Sequence, residues 1–482
     1  MRTRATGAIL LSIAAVLAAA TSAGAQVTTG EGATGRPRFS GPITGGVHGF
    51  PQTRTPVDLD SAGFVEEEYF IEGTAASYAK NGTWGEDGKW DARKAESAPY
   101  RTRVLVRRPR RAADFNGTVV VEWLNVTSRV DVDVDFGFMA EELLRGGYAW
   151  VGVSAQEVAI TSTGGGQFGA GAQGLRAWDP ERYGTLEHPG DDFSYDIFTQ
   201  VGRALRRPGA IDPLDGLEIE QLVADGESQS AFRMLTYVNA VHPMVEVYDG
   251  FLIHSRNGTG AGITTAPEGA APAIARVRTD LDMPVLQVLS ETDLFSLGDS
   301  SPFPDARQPD SASVRTWEIA GTAHADVTYL RRLYEQGTSQ FSDFLDLRGV
   351  FPVANDGPQA IVMRSAIRSL RDWVAGDGAP ARAQPLEVID GAIARDEHGN
   401  ALGGIRTPHV DVPIATLTGE GAPLIGSTTP FTPEVLASLY PSHDAYVEVY
   451  RKATRRAVAK GFILRQDGRA LIAQAEESDI GR

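Results

Sequence analysis

Three residues of this chain are of the types needed for acyl transfer, and they occur in a telling order. Ser228 lies in Gly226-Glu227-Ser228-Gln229-Ser230, a G-x-S-x-S turn. Asp293 ends Ser290-Glu291-Thr292-Asp293, and His324 ends Ala320-Gly321-Thr322-Ala323-His324. A serine hydroxyl is a weak nucleophile until a neighbouring imidazole takes its proton, and the imidazole works best when a carboxylate fixes its tautomer. Where the nucleophile rides on a sharp strand-to-helix turn, the partners follow in the order Ser, acid, His. Asp293 is the expected acid, with Glu291 the alternative.

The elements around these residues fit that chemistry. Leu222-Val223-Ala224 is an apolar strand end, and Ala231, Met234, Leu235, Val238 and Val241 recur at helical spacing just after the turn. Such a turn is strained, so its flanks must be small. Here the second small position is Ser230 rather than the commoner Gly. The backbone N–H of Gln229 is then poised to stabilise an oxyanion, helped by the positive end of the following helix. A Ser in this setting also serves as a plain helix cap, a role open to Ser230. Val285–Leu289 is a strand leading to the acid, and Thr316–Ile319 a strand leading to His324. Of the eight His, His48, His188, His242 and His254 precede the acid, and His398, His409 and His443 lie in the tail. Only His324 follows the acid after a strand.

The second oxyanion donor belongs in the loop after the strand Thr118–Trp123, which begins Leu124-Asn125-Val126. No H-G-G-G string stands there, so backbone N–H groups around Leu124 and Asn125 are the candidates. An Asn bonding its own loop backbone is the plainer reading of Asn125.

Further along the chain, Glu67–Glu72 and Tyr100–Val106 alternate and are expected to pair antiparallel. Thr118–Trp123, a helix over Phe138–Arg145 and Tyr148–Val153 form a strand–helix–strand unit, the mark of a parallel sheet. Phe193–Leu205 reads as a helix and Gly250–His254 as a strand. Residues 325–350 read as helical, Gln359–Val374 as a closing helix, and Ala445–Lys460 as a helix of the tail. The Gly164–Gly169 run lacks the strand and helix that phosphate binding requires, and reads as a loop or lid. The expected fold class is therefore α/β, a mostly parallel sheet flanked by helices. One domain spans 61–482, with insertions at about 156–192 and 325–355 and an extension at about 380–482. An extended lead-in covers 26–60.

Several chemistries are disfavoured. The chain has no Cys, which excludes a thiol nucleophile and thiolate metal sites. There is no H-E-x-x-H, and no G-x-G-x-x-G follows a strand, so neither a zinc hydrolase nor a dinucleotide cofactor is expected. Asp131, Asp133, Asp135 and Glu142 mimic a calcium loop, but Phe136 stands where the tight turn needs Gly. No metal or organic cofactor is expected. The formal net charge of −17 disfavours nucleic acid and anionic membrane surfaces as partners. Arg2 and Arg4, the apolar stretch Gly7–Ala20 and Ala23-Gly24-Ala25 form a secretory signal over 1–25, too short for a membrane span. The expected location is periplasmic or extracellular.

The chain resembles the secreted bacterial alpha/beta hydrolase domain-containing proteins. The likeness rests on Val119–Val126, Gly147–Gln156, Gly226–Ser230, Ser290–Asp293 and Ala320–His324. It continues in the tail at Gly403–Pro408, Val410–Pro413 and Leu439–His443. The resemblance implies an α/β-hydrolase fold with a site at Ser228, Asp293 and His324, and a tail that is part of the same domain. It says little about substrate. The leading expectation is a small-molecule carboxylic ester. An amide, a lactone or acyl transfer would use the same groups, and a binding protein on a hydrolase scaffold is the alternative outside catalysis.

Overall fold

Short apolar runs bounded by turns build the central sheet of the computed structural model, which describes residues 36–164, 171–295, 300–341 and 343–482. The signal segment 1–25 and most of the Gly164–Gly169 run lie outside the described residues. The strands are β1 (Arg38–Ser40), β2 (Phe64–Asn81), β3 (Asp91–Pro109), β4 (Thr118–Trp123), β5 (Ala149–Val153), β6 (Gln221–Glu227), β7 (Gly250–His254), β8 (Val285–Leu289) and β9 (Val314–Glu318). They form one sheet in the order β1-β2-β3-β5-β4-β6-β7-β8-β9. From β5 to β9 neighbouring strands are parallel, while β1, β2 and β3 add an antiparallel wing.

The expected antiparallel pair lies inside a longer hairpin, with Glu67 opposite Val106 and Glu72 opposite Arg101. The hairpin continues out to Asn81 opposite Asp91. That outer part carries exposed charged residues such as Arg93 and Glu96, so an apolar alternation does not reveal it.

The main helices are α1 (Val134–Arg145), α2 (Ser194–Arg206), α3 (Gln229–Thr236), α4 (Val327–Gln340), α5 (Gln359–Val374), α6 (His443–Ala459) and α7 (Arg465–Glu477). Side chains alternate across a strand, and the core divides accordingly. Val119, Val121, Leu222, Ala224, Phe251 and Ile253 pack with Ile197, Phe198 and Val201 of α2 and with Met234 and Leu235 of α3. Val120, Val223 and Leu252 pack on the other face, with Phe138, Met139 and Leu143 of α1 and Val362, Met363 and Ile367 of α5. Strands covered on both faces explain the unbroken apolar runs of the sequence.

Two helical expectations are modified. The helix after Ser228 widens into a π-turn at Tyr237–Val241, where five successive residues are buried. Among the described residues of 325–350 only Val327–Gln340 is helical, and Asp346 accepts a hydrogen bond from the Arg348 N–H (3.1 Å), a turn that competes with helix.

The tail packs onto the sheet. Ile405 bridges to Ile319, the Phe462 ring meets Trp317 edge-on with centroids 5.4 Å apart, and Asp467 pairs with Arg145 at 2.7 Å.

The segment after β4 is anchored by ion pairs. Arg103 of β3 is fully buried and pairs with Asp131 at 2.6 Å, and Arg107, also fully buried, pairs with Asp133. Asp135 pairs with His254 at 2.6 Å, and Glu142 with Arg145 at 2.6 Å. The four carboxylates that imitate a calcium loop thus face four different cationic or imidazole partners, not one centre. Among the described residues no group of three or more His, Asp or Glu side chains could hold a metal ion.

Candidate active site

Ser228 caps α3 immediately beyond β6 with φ 55° and ψ −117°, a backbone state that residues with a Cβ rarely adopt. Its N–H is bonded to the His254 carbonyl (2.9 Å), and its carbonyl accepts from the Phe232 N–H (3.1 Å), so strand and helix both hold the turn. The need for small flanks is visible in the packing. A Cβ at Gly226 would stand 3.1 Å from the Ser230 Cβ and carbonyl. Ser230 does not cap the helix. Its hydroxyl donates to the Leu124 carbonyl (3.2 Å) and ties α3 to the loop after β4.

The structure brings Ser228, His324 and Asp293 together. His324 Nε2 lies 2.8 Å from Ser228 Oγ, and Nδ1 lies 2.7 Å from Asp293 Oδ1. Asp293 sits on the turn Thr292–Leu294 after β8, and its Oδ2 accepts from the Ser290 N–H (2.7 Å) and hydroxyl (2.8 Å). Those bonds fix the carboxylate before it meets the imidazole. The His324 N–H donates to Thr292 Oγ1 (3.2 Å), which joins the two loops directly. Burial lowers the pKa of His324, but the Asp293 carboxylate, its hydrogen bond and Glu227 outweigh it, and the imidazole is pushed up to about 9.

Glu291 faces elsewhere. It accepts from the backbone N–H groups of Gly321 (2.6 Å) and Gly419 (3.1 Å) and from Arg395 Nη2 (3.0 Å). It braces the His324 loop against the tail hairpin Ala415–Ala422/Gly426–Pro430.

Gln229 opens α3, so its N–H has no acceptor within the helix and stands beside Ser228. The expectation for Asn125 needs correction. Its backbone N–H is bonded to the Val132 carbonyl (3.0 Å), and that of Leu124 to the Val153 carbonyl (3.3 Å). The Leu124 bond continues the pairing of β4 with β5, and at Asn125 the loop folds back on itself as a short bridge to Val132, beside the Arg103 and Arg107 ion pairs, so both N–H groups are spent. Asn125 contributes its side chain instead. Its Nδ2 donates to Glu227 Oε2 (2.9 Å) and to the Glu227 carbonyl (3.1 Å).

Glu227 itself escaped the sequence reading, as did the pair His254–Asp135. The available signal was strand parity. Val223, Asp225 and Glu227 share a face of β6, and two carboxyls at the end of an apolar strand are unusual on a buried face.

The alpha/beta hydrolase domain family matches residues 39–473, and the chain belongs to it. The protein is a hydrolase. No curated protein matches the chain. Among solved structures, Est1E from Butyrivibrio proteoclasticus is 10% identical, with 62% of this chain and 99% of that one covered at a TM-score of 0.30. A glucuronoyl esterase from Solibacter usitatus is 11% identical, with 65% and 87% covered at a TM-score of 0.29. Likenesses of this size add nothing to the assignment.

Proposed function

We propose that this hydrolase cleaves carboxylic esters through an acyl-enzyme, with Ser228 as nucleophile, His324 as general base and then acid, and Asp293 as the orienting carboxylate. The observation that carries the reading is the unbroken line from Ser228 Oγ to His324 Nε2 at 2.8 Å and from Nδ1 to Asp293 Oδ1 at 2.7 Å. Ser228 loses its proton to Nε2 as its oxygen attacks the carbonyl carbon. The charge that develops on the carbonyl oxygen is met by the Gln229 N–H and the positive end of α3. In the loop after β4, the Val126 N–H next to Asn125 has no backbone acceptor among the described residues and is a candidate for the second donor. Nε2–H then protonates the leaving alcohol. A water molecule deprotonated by the same nitrogen releases the acid and restores Ser228.

The contacts of the tail with Trp317, Ile319 and Arg145 support one domain over 61–482. Arg2, Arg4 and the apolar stretch after them support export to the periplasm or beyond.

The test is ester hydrolysis by the Ser228→Ala protein. Its thermal melt is expected to match the wild type, and turnover of p-nitrophenyl acetate to fall by ~10⁴-fold or more. Turnover retained within tenfold would overturn the reading.

A further inference from the structure

The residue before the nucleophile holds a carboxyl that the steps above leave unused. Glu227 is 4% exposed, and its Oε1 lies 3.3 Å from His324 Nε2, the nitrogen that also faces Ser228. The Asn125 amide holds its other oxygen and its carbonyl, so the carboxyl is fixed in place. In the parallel pairing of β6 and β7, Glu227 stands beside His254, whose Nδ1 is 2.6 Å from Asp135 Oδ1. Two histidine–carboxylate pairs, His324–Asp293 and His254–Asp135, therefore flank one carboxyl. The titratable groups facing Glu227 are His324 from the loop after β9, His254 from β7, Asp135 from α1, Asp293 from the turn after β8 and Tyr329 from α4.

Resting on the serine-hydrolase reading, we propose that Glu227 is a positioning residue whose carboxylate accepts a hydrogen bond from His324 Nε2–H once Ser228 has given up its proton. The imidazolium is then held by Asp293 at one nitrogen and by Glu227 at the other. The proton passes from Ser228 Oγ to Nε2 and on to the leaving oxygen, and Glu227 takes none of it. Burial pushes the Glu227 carboxyl up to about 7, with His324 and His254 pulling the other way. It is thus ionised above neutral pH, where His324 begins to lose its proton.

The experiment compares full-length wild type, Glu227→Gln and Glu227→Asp. The pH profile of kcat/KM for p-nitrophenyl acetate is recorded for each, with fluorophosphonate labelling as a check on the nucleophile. Removing a negative charge from beside Nε2 makes the imidazolium easier to deprotonate. The Gln variant is expected to shift the acidic limb down by about 1 pH unit and to lower the plateau about tenfold. The Asp variant keeps the charge, and its limb is expected within about 0.3 unit of wild type. A residue that only supports the fold would lower the plateau without moving the limb, so an unmoved limb in Glu227→Gln overturns the proposal. Should that variant not fold, Glu227→Ala, which removes the same charge and puts no amide in its place, is read in the same way. A downward shift of its limb supports the proposal and an unmoved limb overturns it. A wild type that neither hydrolyses the ester nor labels at Ser228 overturns the serine-hydrolase reading and this proposal with it. A wild type that labels while the variant's limb stays put overturns the role of Glu227 alone.

Discussion

Asp293 and Glu291 stand two residues apart on one turn and face different partners: Asp293 Oδ1 is 2.7 Å from His324 Nδ1, while Glu291 Oε1 accepts from the Gly321 N–H at 2.6 Å. Replacing either removes one negative charge from the same turn, yet the consequences are expected to differ in kind. Asp293→Asn should leave the protein folded and lower kcat by ~10⁴-fold, because the wrong imidazole tautomer is favoured. Glu291→Gln should keep kcat within about tenfold while lowering the melting temperature, because it weakens charge-assisted bonds that hold the His324 loop to the tail. Steady-state kinetics and a thermal melt on both variants check this, and an inactive Glu291→Gln beside an active Asp293→Asn would reverse the assignment.

The pH dependence follows from His324. On the proposed mechanism the imidazole must be neutral to take the Ser228 proton, and although burial lowers its pKa, Asp293 and Glu227 push it up to about 9 in the folded protein. For a neutral ester, kcat/KM is expected to rise with pH and to keep rising well above ~6.5, the ordinary histidine value. The sign for stability is opposite. A group whose folded pKa is raised contributes stability fully below its unfolded value and loses it as pH rises through the folded one. His324→Ala should therefore flatten part of the decline in melting temperature between about 6.5 and 9, the window set by the ordinary and the raised value. A rate that levels off below neutral pH would contradict this account.

Asp225 of β6 is fully buried, and neither carboxyl oxygen accepts a hydrogen bond among the described residues. Burial, and then the neighbouring Glu122 and Asp135, hold its pKa well above the ordinary carboxylate range. Its folded form keeps a proton that the unfolded chain gives up, so stability falls as pH rises between the two values. Asp225→Asn removes that dependence. Its melting temperature is expected to exceed wild type by about 1–3 °C at alkaline pH, with the gain vanishing in acid. Differential scanning calorimetry at both pH values decides it, and an equal loss at both would show the carboxyl to be a net support.

Arg103 tests the anchoring of the loop after β4. Its guanidinium is fully buried and reaches Asp131 Oδ2 (2.6 Å), Ser154 Oγ (2.8 Å) and the Gln52 carbonyl (3.0 Å). Arg103→Met leaves Asp131 buried without its cation, and urea unfolding should show a loss of about 3–5 kcal/mol. A loss below ~1 kcal/mol would mean that other contacts hold the loop.

What the sequence displayed was local. The Gly226–Ser230 turn, Asp293 just past Val285–Leu289 and His324 just past Thr316–Ile319 are each legible within about ten residues, because strand and turn are contiguous. What it concealed depends on register and on distant pairing. Glu227 meets His324 only because β6 ends where it does and the loop after β9 crosses over it. Asn125 offers its amide rather than its N–H because Arg103 and Arg107, from another strand, fold its loop back to Val132. The outer half of the β2–β3 hairpin carries no apolar alternation, and only pairing in three dimensions reveals it.

The most direct test of the account is to treat the purified protein with a fluorophosphonate and map the adduct by mass spectrometry. One adduct is expected, on the peptide containing Ser228, with labelling abolished in Ser228→Ala and much slowed in His324→Ala. A label on Ser230 or any other serine with Ser228 untouched would contradict the account, as would a folded wild type that takes up no label at all.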